Sequence, residues 1–323
     1  MTDVADYDAL LVVSFGGPEG PDDVMPFLQN VVRGRNVPQE RLRQVAKQYE
    51  LFRGVSPINA ATRRLVEALR TELERSGLDL PVYWGNRNWH PFLGDTLKTM
   101  ASDGIRRALA FVTSAYSSYS SCRQYLEDIE KARAAAGPTA PAVDKIGTFF
   151  DHPGFIRANR ERLQDALASS PRAYVLFTAH SIPLEMAAVC QYEAQLGETA
   201  RLVAASIDNP WELVYQSRSG LPSVPWLSPD VLEAIDRLAA EGIREIVLSP
   251  IGFVADHMEV IYDLDTQARR RAESLGVSLV RASTAGTHPC FVRMIRQFLE
   301  EHLAEAAPGP CAPGCCLPPG PRN

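Results

Sequence analysis

The sequence lacks several features that define large classes of protein. No apolar run approaches the ~20 residues that a helix needs to cross a bilayer, and the first residues, MTDVADYD, are acidic where a signal peptide is basic. Positive charge is also scarce, since 33 lysines and arginines stand against 39 aspartates and glutamates, for a net charge of −6. Nonspecific nucleic-acid binding needs a dominant basic face. We therefore expect a cytoplasmic protein with no integral membrane segment and no nucleic-acid partner.

Cysteine is scarce too, with six in 323 residues, but its distribution is uneven. Cys311, Cys315 and Cys316 lie in segment 308–323, which also holds six prolines and three glycines and so cannot build a core of its own. In a reducing compartment such a dense thiol cluster indicates a metal site rather than disulfides. Zinc and iron–sulfur sites need four ligands. The candidates for the fourth are Cys122, Cys190 and Cys290, each of which is otherwise explained as a buried structural thiol.

The rest of the composition is that of a globular protein, with 46% hydrophobic and 22% charged residues. At a prior of ~150 residues per domain, the length suggests two domains. Short apolar segments alternate with longer amphipathic ones, which is typical of βαβ units and a parallel sheet covered on both faces. The predicted strands are 9–15, 82–85, 108–113, 174–177, 213–216, 245–249 and 278–281. Between the strands lie helical patterns such as 21–32, 41–51, 62–76, 159–168, 229–240 and 258–274.

Two pairs of segments resemble each other in the same order along the chain. Segment 103–110 (DGIRRALA) resembles 241–248 (EGIREIVL), and 10–18 (LLVVSFGGP) more loosely resembles 174–183 (YVLFTAHSIP). This repetition predicts an α/β fold of two similar Rossmann-like halves, each a parallel sheet flanked by helices, with a central cleft. Ligands of such sheets bind beyond the carboxyl ends of the strands. The loops that meet this condition are 14–20, 114–122, 178–183 and 250–259.

His180 and a run of acidic residues are the strongest candidates for chemistry. His180 follows a predicted strand, and imidazole can take a proton or bind a metal near neutral pH. The alternative is a histidine that bonds a loop carbonyl; a Ser–His hydrolase is disfavoured because no Gly-x-Ser-x-Gly elbow exists. Glu259 and Asp263, with Asp265 beyond, put like charges on one helix at a cost of roughly 0.2–0.5 kcal/mol per pair. They indicate either a solvated face or, with His180, a site for Fe(II), Mn(II) or Zn(II).

Glycines at 16, 17 and 20 do not make a dinucleotide-binding loop. Their spacing differs from Gly-x-Gly-x-x-Gly, and Pro18 and Pro21 interrupt the turn that would hold phosphates. We interpret these glycines as allowing the backbone to approach a flat or bulky ligand.

Four segments together resemble the ferrochelatase family, in particular its actinobacterial coproporphyrin type. They are SFGGP at 14–18, FRGVSP at 52–57, TAHSIP at 178–183 and PIGFVADHMEVIYD at 250–263. The resemblance runs from about residue 9 to the tail. It implies two chelatase-type halves around a porphyrin cleft, with the last helix returning to the first half. The corresponding ranges are 1–147 with 288–307 for the first half, 148–287 for the second half, and 308–323 for the tail.

The resemblance implies that the chain inserts Fe(II) into coproporphyrin III for haem synthesis, and we expect it to be a monomer. It implies that His180 and Glu259 bind the metal and remove protons, and that Asp263 is a further metal-binding member of an acidic ridge, whose third position is Gln267 here. The residues that it places near the porphyrin are Phe15, Arg53, Ser56 and Tyr125. Phe15 stands where some relatives have a tyrosine ligand, and Arg53 is a candidate partner for the propionates. A cobalt or nickel chelatase and a non-enzymatic porphyrin or haem carrier remain alternatives, the carrier being disfavoured because it needs no acidic ridge.

The resemblance also bears on the cysteines. Family members with a 2Fe–2S cluster use one internal cysteine and three near the C-terminus. In this chain Cys122, Cys311, Cys315 and Cys316 fit that plan, so the resemblance implies a 2Fe–2S cofactor.

Overall fold

The computed structural model of the chain describes residues 7–34, 37–219, 223–304 and 315–318. These residues form two parallel sheets of four strands each. The strands of the first sheet are β1 (Ala9–Ser14), β2 (Val82–Asn86), β3 (Arg107–Val112) and β4 (Ala142–Lys145), in the order β2-β1-β3-β4. Those of the second are β5 (Tyr174–His180), β6 (Trp211–Gln216), β7 (Glu245–Ser249) and β8 (Ser278–Arg281), in the order β6-β5-β7-β8. The two orders are equivalent, which confirms the prediction of two similar α/β halves.

Burial explains why these strands form. All six residues of β1 are buried, as are five of the six in β3, because helices cover both faces of a parallel sheet. The two repeated segments end in β3 and β7, which pair in parallel with β1 and β5 respectively. The sequence repeat is therefore a repeat of the central strand pair of each sheet.

Twelve α-helices within the described residues flank the sheets. Those between β1 and β4 are α1 (Val24–Val31), α2 (Gln39–Glu50), α3 (Ile58–Arg75), α4 (Leu93–Ser102) and α5 (Gln124–Ala136). The others are α6 (Pro153–Leu167), α7 (Leu184–Ala187), α8 (Tyr192–Ala204), α9 (Val231–Ala240), α10 (Met258–Tyr262), α11 (Arg269–Ser274) and α12 (Pro289–Leu303). Two π-helical turns, Tyr119–Arg123 and Asp263–Ala268, precede α5 and α11.

Helices α4, α5 and α7 are not among those named from the sequence, and two further elements differ from the prediction. Strand β4 was not predicted, because its four residues, AVDK, are short and none of them is fully buried. The helix predicted over 258–274 is confirmed in its bounds, but π-helical hydrogen bonding over Asp263–Ala268 separates α10 from α11 within it. A π turn inserts an extra residue into the helix, and such turns occur frequently at functional sites.

A shared core joins the two halves. Helix α12 packs against both α3 and α6, and its Phe291 meets Phe149 and Phe155 in a group of rings with centroids 5.5–6.0 Å apart. The hydroxyl of buried Tyr116, beyond β3, donates a 2.8 Å hydrogen bond to the carbonyl of Ile251, beyond β7. These contacts fix the strand ends of the two sheets relative to each other.

In the part of the chain that the structure describes, no helix is both long enough and apolar enough to cross a membrane.

Candidate active site

The carboxyl ends of the second sheet bring together residues that are far apart along the sequence. His180 ends β5 and is the register partner of Gln216, which ends β6. The Gln216 amide nitrogen donates a 3.1 Å hydrogen bond to the carbonyl of Glu259, in the first turn of α10. Strand ends and helix start are thus joined at one edge of the sheet, where ligands of α/β folds bind.

His180 and Glu259 face each other. The distance from His180 Nε2 to Glu259 Oε2 is 3.6 Å, and the two side chains are 31% and 53% exposed, so both remain accessible from the cleft. His180 Nδ1 hydrogen-bonds to the carbonyl of Ser181, which can only accept, so Nδ1 carries a proton. The nitrogen that faces Glu259 is therefore the one with a free lone pair in the neutral ring. This arrangement holds a proton or a divalent cation between the two groups.

The backbone on each side of the pair is held in place. The hydroxyl of buried Tyr192 donates a 3.0 Å hydrogen bond to the carbonyl of His180. The side chain of His257 caps α10, with its Nδ1 accepting the backbone N–H of Glu259 at 3.2 Å. The same Nδ1 lies 3.9 Å from the Glu259 carboxylate. Sequence reasoning missed this role of His257, although a residue two positions before an acidic first turn is a recognisable cap position.

The charges of this group are strongly coupled. Burial would raise the pKa of Glu259, but His180 and His257 outweigh it and lower the pKa to about 2. Burial would lower the pKa of His180, but Glu259, the Ser181 carbonyl and Asp263 outweigh it and raise the pKa above its usual value. Burial, with the nearby His180, lowers the pKa of His257. The pair therefore consists of a firmly ionised carboxylate and an unusually basic imidazole.

Asp263 supplies a carboxyl group of a different kind. Burial, together with repulsion from Glu259, raises the pKa of Asp263 to about 7, against the opposing effect of a hydrogen bond from Ser217. Ser217 follows β6 with a φ of 63°, a left-handed conformation that is uncommon for a residue other than glycine. Such conformations cluster at functional sites. Asp263 can thus exchange a proton near neutral pH, and Ser217 is a site residue that sequence reasoning missed.

The remaining acidic positions do not continue this group. Asp265 and Asp256 are both paired with Arg281, at the end of β8. Gln267 is exposed at the end of the π-helical turn. The carboxylates that face the cleft beside His180 are therefore Glu259 and Asp263.

Helices α1 and α2 cover this region from the first half. Buried Met258, beside Glu259, packs in one cluster with Phe27 of α1 and Tyr49 of α2, and Phe15 lies against the same cluster. Burial, with the charge of nearby Glu259, raises the pKa of Tyr49. The predicted porphyrin contact Phe15 therefore lies near the helix that carries Glu259.

The other predicted porphyrin contacts lie in the first half. The ring of Tyr125 is buried, with the Arg87 guanidinium 4.3 Å from its centroid and 5.9 Å from that of Phe15. Arg87, which sequence reasoning missed, is itself held by Asp128 at 2.6 Å. Arg53 is exposed and has a φ of 56°.

Ser56 is buried against the loop that follows β1. A Cβ atom on Gly17 would lie 2.7 Å from that of Ser56, and one on Gly16 would lie 2.8 Å from that of Asn86. At these two positions glycine is required because the chain packs tightly on itself. The interpretation that these glycines let the backbone approach a ligand stays a prediction.

Three of the four predicted cluster cysteines fall within the described residues, and Cys311 lies outside them. Cys315 and Cys316 have sulfur atoms 3.3 Å apart. Burial and the neighbouring thiols of Cys315, Cys122 and Cys190 raise the pKa of Cys316 to about 12. The structure thus brings the tail to the internal thiols. Over 7–34, 37–219, 223–304 and 315–318, no three histidine, cysteine or acidic side chains are already arranged at metal-binding distances.

The described residues thus form two parallel-sheet halves, and the second carries an imidazole and two carboxyl groups close together at its strand ends, an arrangement suited to proton transfer. Comparison with known proteins makes the class specific. The family model described as Ferrochelatase matches residues 7–303. The chain belongs to the ferrochelatase family, whose members insert metal into porphyrin.

Several curated relatives cover almost the whole chain. The Ferrochelatase of Rhodopirellula baltica is 51% identical over 336 residues, covering 98% of this chain and 95% of the relative. The Coproporphyrin III ferrochelatase of Nocardia farcinica is 48% identical, covering 96% and 97%, and that of Streptomyces coelicolor is 45% identical, covering 99% and 96%.

Solved structures share the fold at low sequence identity. SirB from Bacillus subtilis, in a structure with Fe3+, has a TM-score of 0.59 at 12% identity and covers 93% of this chain and 97% of its own. CbiX, described as the terminal enzyme of sirohaem biosynthesis in denitrifying bacteria, has a TM-score of 0.52 at 11% identity and covers 93% and 100%. These similarities confirm the chelatase-type fold.

Proposed function

We propose that this chain inserts Fe(II) into coproporphyrin III and so produces Fe-coproporphyrin III for haem synthesis. The observation that carries the proposal is the facing pair of His180 Nε2 and Glu259 Oε2, 3.6 Å apart and accessible from the cleft. Relatives at 45–48% identity that are named Coproporphyrin III ferrochelatase support the choice of porphyrin. The proposal assigns 1–147 with 288–307 to the first half, 148–287 to the second and 308–323 to the tail.

The chemistry requires two protons to leave the porphyrin as one divalent cation enters, so charge is conserved in the ring. His180 accepts one proton at Nε2, because Nδ1 is already committed to the Ser181 carbonyl. Glu259 stabilises the imidazolium that forms, as a fixed charge does beside a general base. Asp263, with its pKa raised to about 7, is placed to accept the second proton.

The same two carboxylates suit the metal substrate. Fe(II) binds imidazole and carboxylate oxygen, and Glu259 and Asp263 offer both charge and oxygen ligands beside His180. Burial and the repulsion from Glu259 favour the protonated form of Asp263, whereas a bound cation favours its ionised form, so the metal and the proton compete for this carboxyl group.

The porphyrin is held at its periphery by the first half in this proposal. Coproporphyrin III carries four propionates, for which exposed Arg53 and the hydroxyl of Ser56 provide a positive charge and a hydrogen bond. The proposal places Phe15 on the metal side of the porphyrin and Tyr125, whose buried ring lies under Arg87, near the propionates. Because four carboxylates make the substrate water-soluble, we also propose that the protein acts in the cytoplasm. We propose separately that it is a monomer.

An anaerobic assay with Fe(II) tests the substrate. We expect the wild-type protein to metallate coproporphyrin III with a higher kcat/KM than protoporphyrin IX, measured as loss of metal-free porphyrin fluorescence. Co(II) and Ni(II) are run in parallel. A preference for either ion over Fe(II), or tight porphyrin binding without metallation, would contradict the proposal and favour another chelatase or a porphyrin carrier.

We further propose that Cys122, Cys311, Cys315 and Cys316 hold a 2Fe–2S cluster. The support is the 3.3 Å approach of the Cys315 and Cys316 sulfurs and their proximity to buried Cys122. Protonated thiols that are this close do not stabilise one another. A bound metal cation deprotonates them, and each thiolate is then attracted to the cation. A cluster supplies covalent iron–thiolate links, and these would attach a tail rich in proline and glycine to the body of the protein.

Replacing Cys316 with serine tests the cluster. We expect the wild-type protein to be brown, with visible sulfur-to-iron charge-transfer absorption. We expect it to contain about two iron and two sulfide ions per chain, apart from any iron bound as substrate. The Cys316→Ser variant is expected to lose most of this absorption. Cys290→Ser is the matched control, because Cys290 lies at the start of α12 and is half-buried, and it is expected to keep the colour. Colourless, stable wild-type protein from an anaerobic preparation would refute the cluster.

A further inference from the structure

Arg281 makes an unusual set of contacts at the end of β8. Its guanidinium binds Asp265 through two hydrogen bonds, from Nε at 2.7 Å and Nη2 at 2.9 Å. It binds Asp256 through two more, from Nη1 at 3.2 Å and Nη2 at 3.0 Å. The arginine side chain is only 13% exposed, and each aspartate is 30% exposed. One cation therefore serves two carboxylates with the planar geometry that arginine alone provides.

The two aspartates flank the reactive segment. Asp256 comes immediately before His257 and three residues before Glu259, in the loop that leads into α10. Asp265 lies in the π-helical turn two residues after Asp263. Arg281 thus joins the chain on both sides of Glu259 and Asp263 to the edge strand of the sheet.

Stability alone does not account for this arrangement. Withdrawing three charges from water has a large desolvation cost, and well-packed apolar residues of similar volume are often equally stabilising. The more specific effect is geometric, because a bidentate pair on each side leaves the intervening segment little freedom. It also gives two of the four carboxylates in 256–265 a cationic partner, so that Glu259 and Asp263 are the two left to face the cleft.

We propose that Arg281 is a positioning residue for metal insertion, which fixes Glu259 opposite His180 and Asp263 beside Ser217 by clamping Asp256 and Asp265. The proposal rests on the proposed function, since it assigns a role in that reaction. It predicts that disturbing the clamp impairs the chemical step and leaves porphyrin binding, which involves the first half, unchanged.

Steady-state kinetics of Arg281→Met and Arg281→Lys test the clamp. A misplacement of about 1 Å at a reacting group can reduce the rate about 10²-fold, so we expect kcat of the methionine variant to fall at least ~10-fold. Lysine restores the positive charge but cannot form bidentate hydrogen bonds to both aspartates, so Arg281→Lys is expected to recover only part of kcat. Porphyrin Kd, from fluorescence quenching, is expected to stay within ~2-fold of wild type. Arg271→Met, which breaks the exposed pair with Asp236 between α11 and α9, is the matched control and is expected to match wild type.

A milder pair of variants covers the case in which Arg281→Met does not fold. Asp265→Asn and Asp256→Asn each weaken one arm of the clamp while Arg281 keeps its other partner. Each is expected to lower kcat several-fold, with circular dichroism and Tm close to wild type. Wild-type kcat in both, or in folded Arg281→Met, overturns the proposal. So does a fall in kcat that is matched by an equal loss of porphyrin affinity, which would indicate general damage to the cleft.

Co(II) binding to the porphyrin-free protein separates this inference from the proposed function. The visible Co(II) absorption that disappears in His180→Ala reports the cation site itself. We expect Arg281→Met to lose or weaken the same absorption and Arg271→Met to keep it. If the wild type does not metallate coproporphyrin III, the function proposed above fails while this spectrum still tests the clamp. A His180-dependent spectrum that is identical in wild type and Arg281→Met overturns the clamp.

Discussion

Replacing His180 with alanine is expected to reduce kcat for Fe(II) insertion by ~10²–10⁴-fold, the usual contribution of a positioned general base. The variant loses the His180 ring nitrogen Nε2, which lies 3.6 Å from Glu259 Oε2. The fold is expected to persist, because the Tyr192 hydroxyl binds the backbone carbonyl of residue 180 and not its side chain. The measurement is kcat under anaerobic conditions, with circular dichroism to confirm the fold.

His302→Ala is the matched control for this experiment. The ring of His302 also bonds a backbone carbonyl, that of Phe298 at 2.6 Å, but it lies on α12 near Tyr7 rather than in the cleft. We expect His302→Ala to retain wild-type kcat. If His180→Ala turns over at a near-normal rate with Fe(II), the mechanism has no support.

Replacing Glu259 with glutamine is expected to lower kcat by ~10²-fold or more and to move the pH profile. The change keeps the shape of the side chain but removes the charge that stabilises a protonated His180. Glu259 raises the pKa of His180 above its usual value of 6.5. Below this raised pKa the ring is protonated and can no longer accept a proton, so wild-type kcat/KM is expected to fall as the pH drops through it. In Glu259→Gln this acidic limb is expected to shift to lower pH.

The matched control is Glu245→Gln. Glu245 is an exposed carboxylate at the start of β7. It therefore lies at the amino ends of the strands, whereas His180 lies at their carboxyl ends. The Glu245→Gln variant is expected to leave kcat unchanged and to leave the acidic limb of the kcat/KM pH profile at its wild-type position. An acidic limb in Glu259→Gln that stays at the wild-type position would show that the limb does not report His180 beside Glu259.

The strands of the fold were predictable because they are apolar and buried. In β1, β3, β5 and β7 nearly every residue is buried, and each strand was predicted from its run of aliphatic residues. Strand β4 escaped because AVDK has neither an apolar run nor full burial, and it forms only by pairing with β3. The π-helical turn escaped because its residues follow the apolar spacing of an ordinary helix.

The site was predictable where local sequence determined the chemistry. His180 at a strand end and Glu259 four residues before Asp263 are visible in the sequence, and the structure brings all three together. Ser217 was missed because its importance comes from a left-handed backbone and a contact with Asp263, 46 residues away. Sequence alone could not reveal these features.

Asp265 shows the opposite case. From sequence it continued an acidic run and was a candidate for the path of a cation. The structure pairs it with Arg281, sixteen residues further along the chain, so its charge is balanced by the guanidinium and does not face the cleft. A carboxylate in a run of carboxylates can thus be a structural anchor, and only the position of its counter-ion distinguishes the two roles. The catalytic and metal-binding roles of His180, Glu259 and Asp263 stay predictions, as do the domain boundaries, the porphyrin contacts and the cluster ligands.

The apolar cluster formed by α1, α2 and Met258 has a consequence for how the two substrates influence each other. Met258 adjoins Glu259 on α10, so any displacement of α1 or α2 relative to the second half is transmitted to this carboxylate. If porphyrin binding moves these helices, it changes the affinity for the cation. By thermodynamic reciprocity the cation then changes the affinity for the porphyrin by the same factor. The order in which the two substrates bind would therefore affect the kinetics but not the overall free energy of the ternary complex.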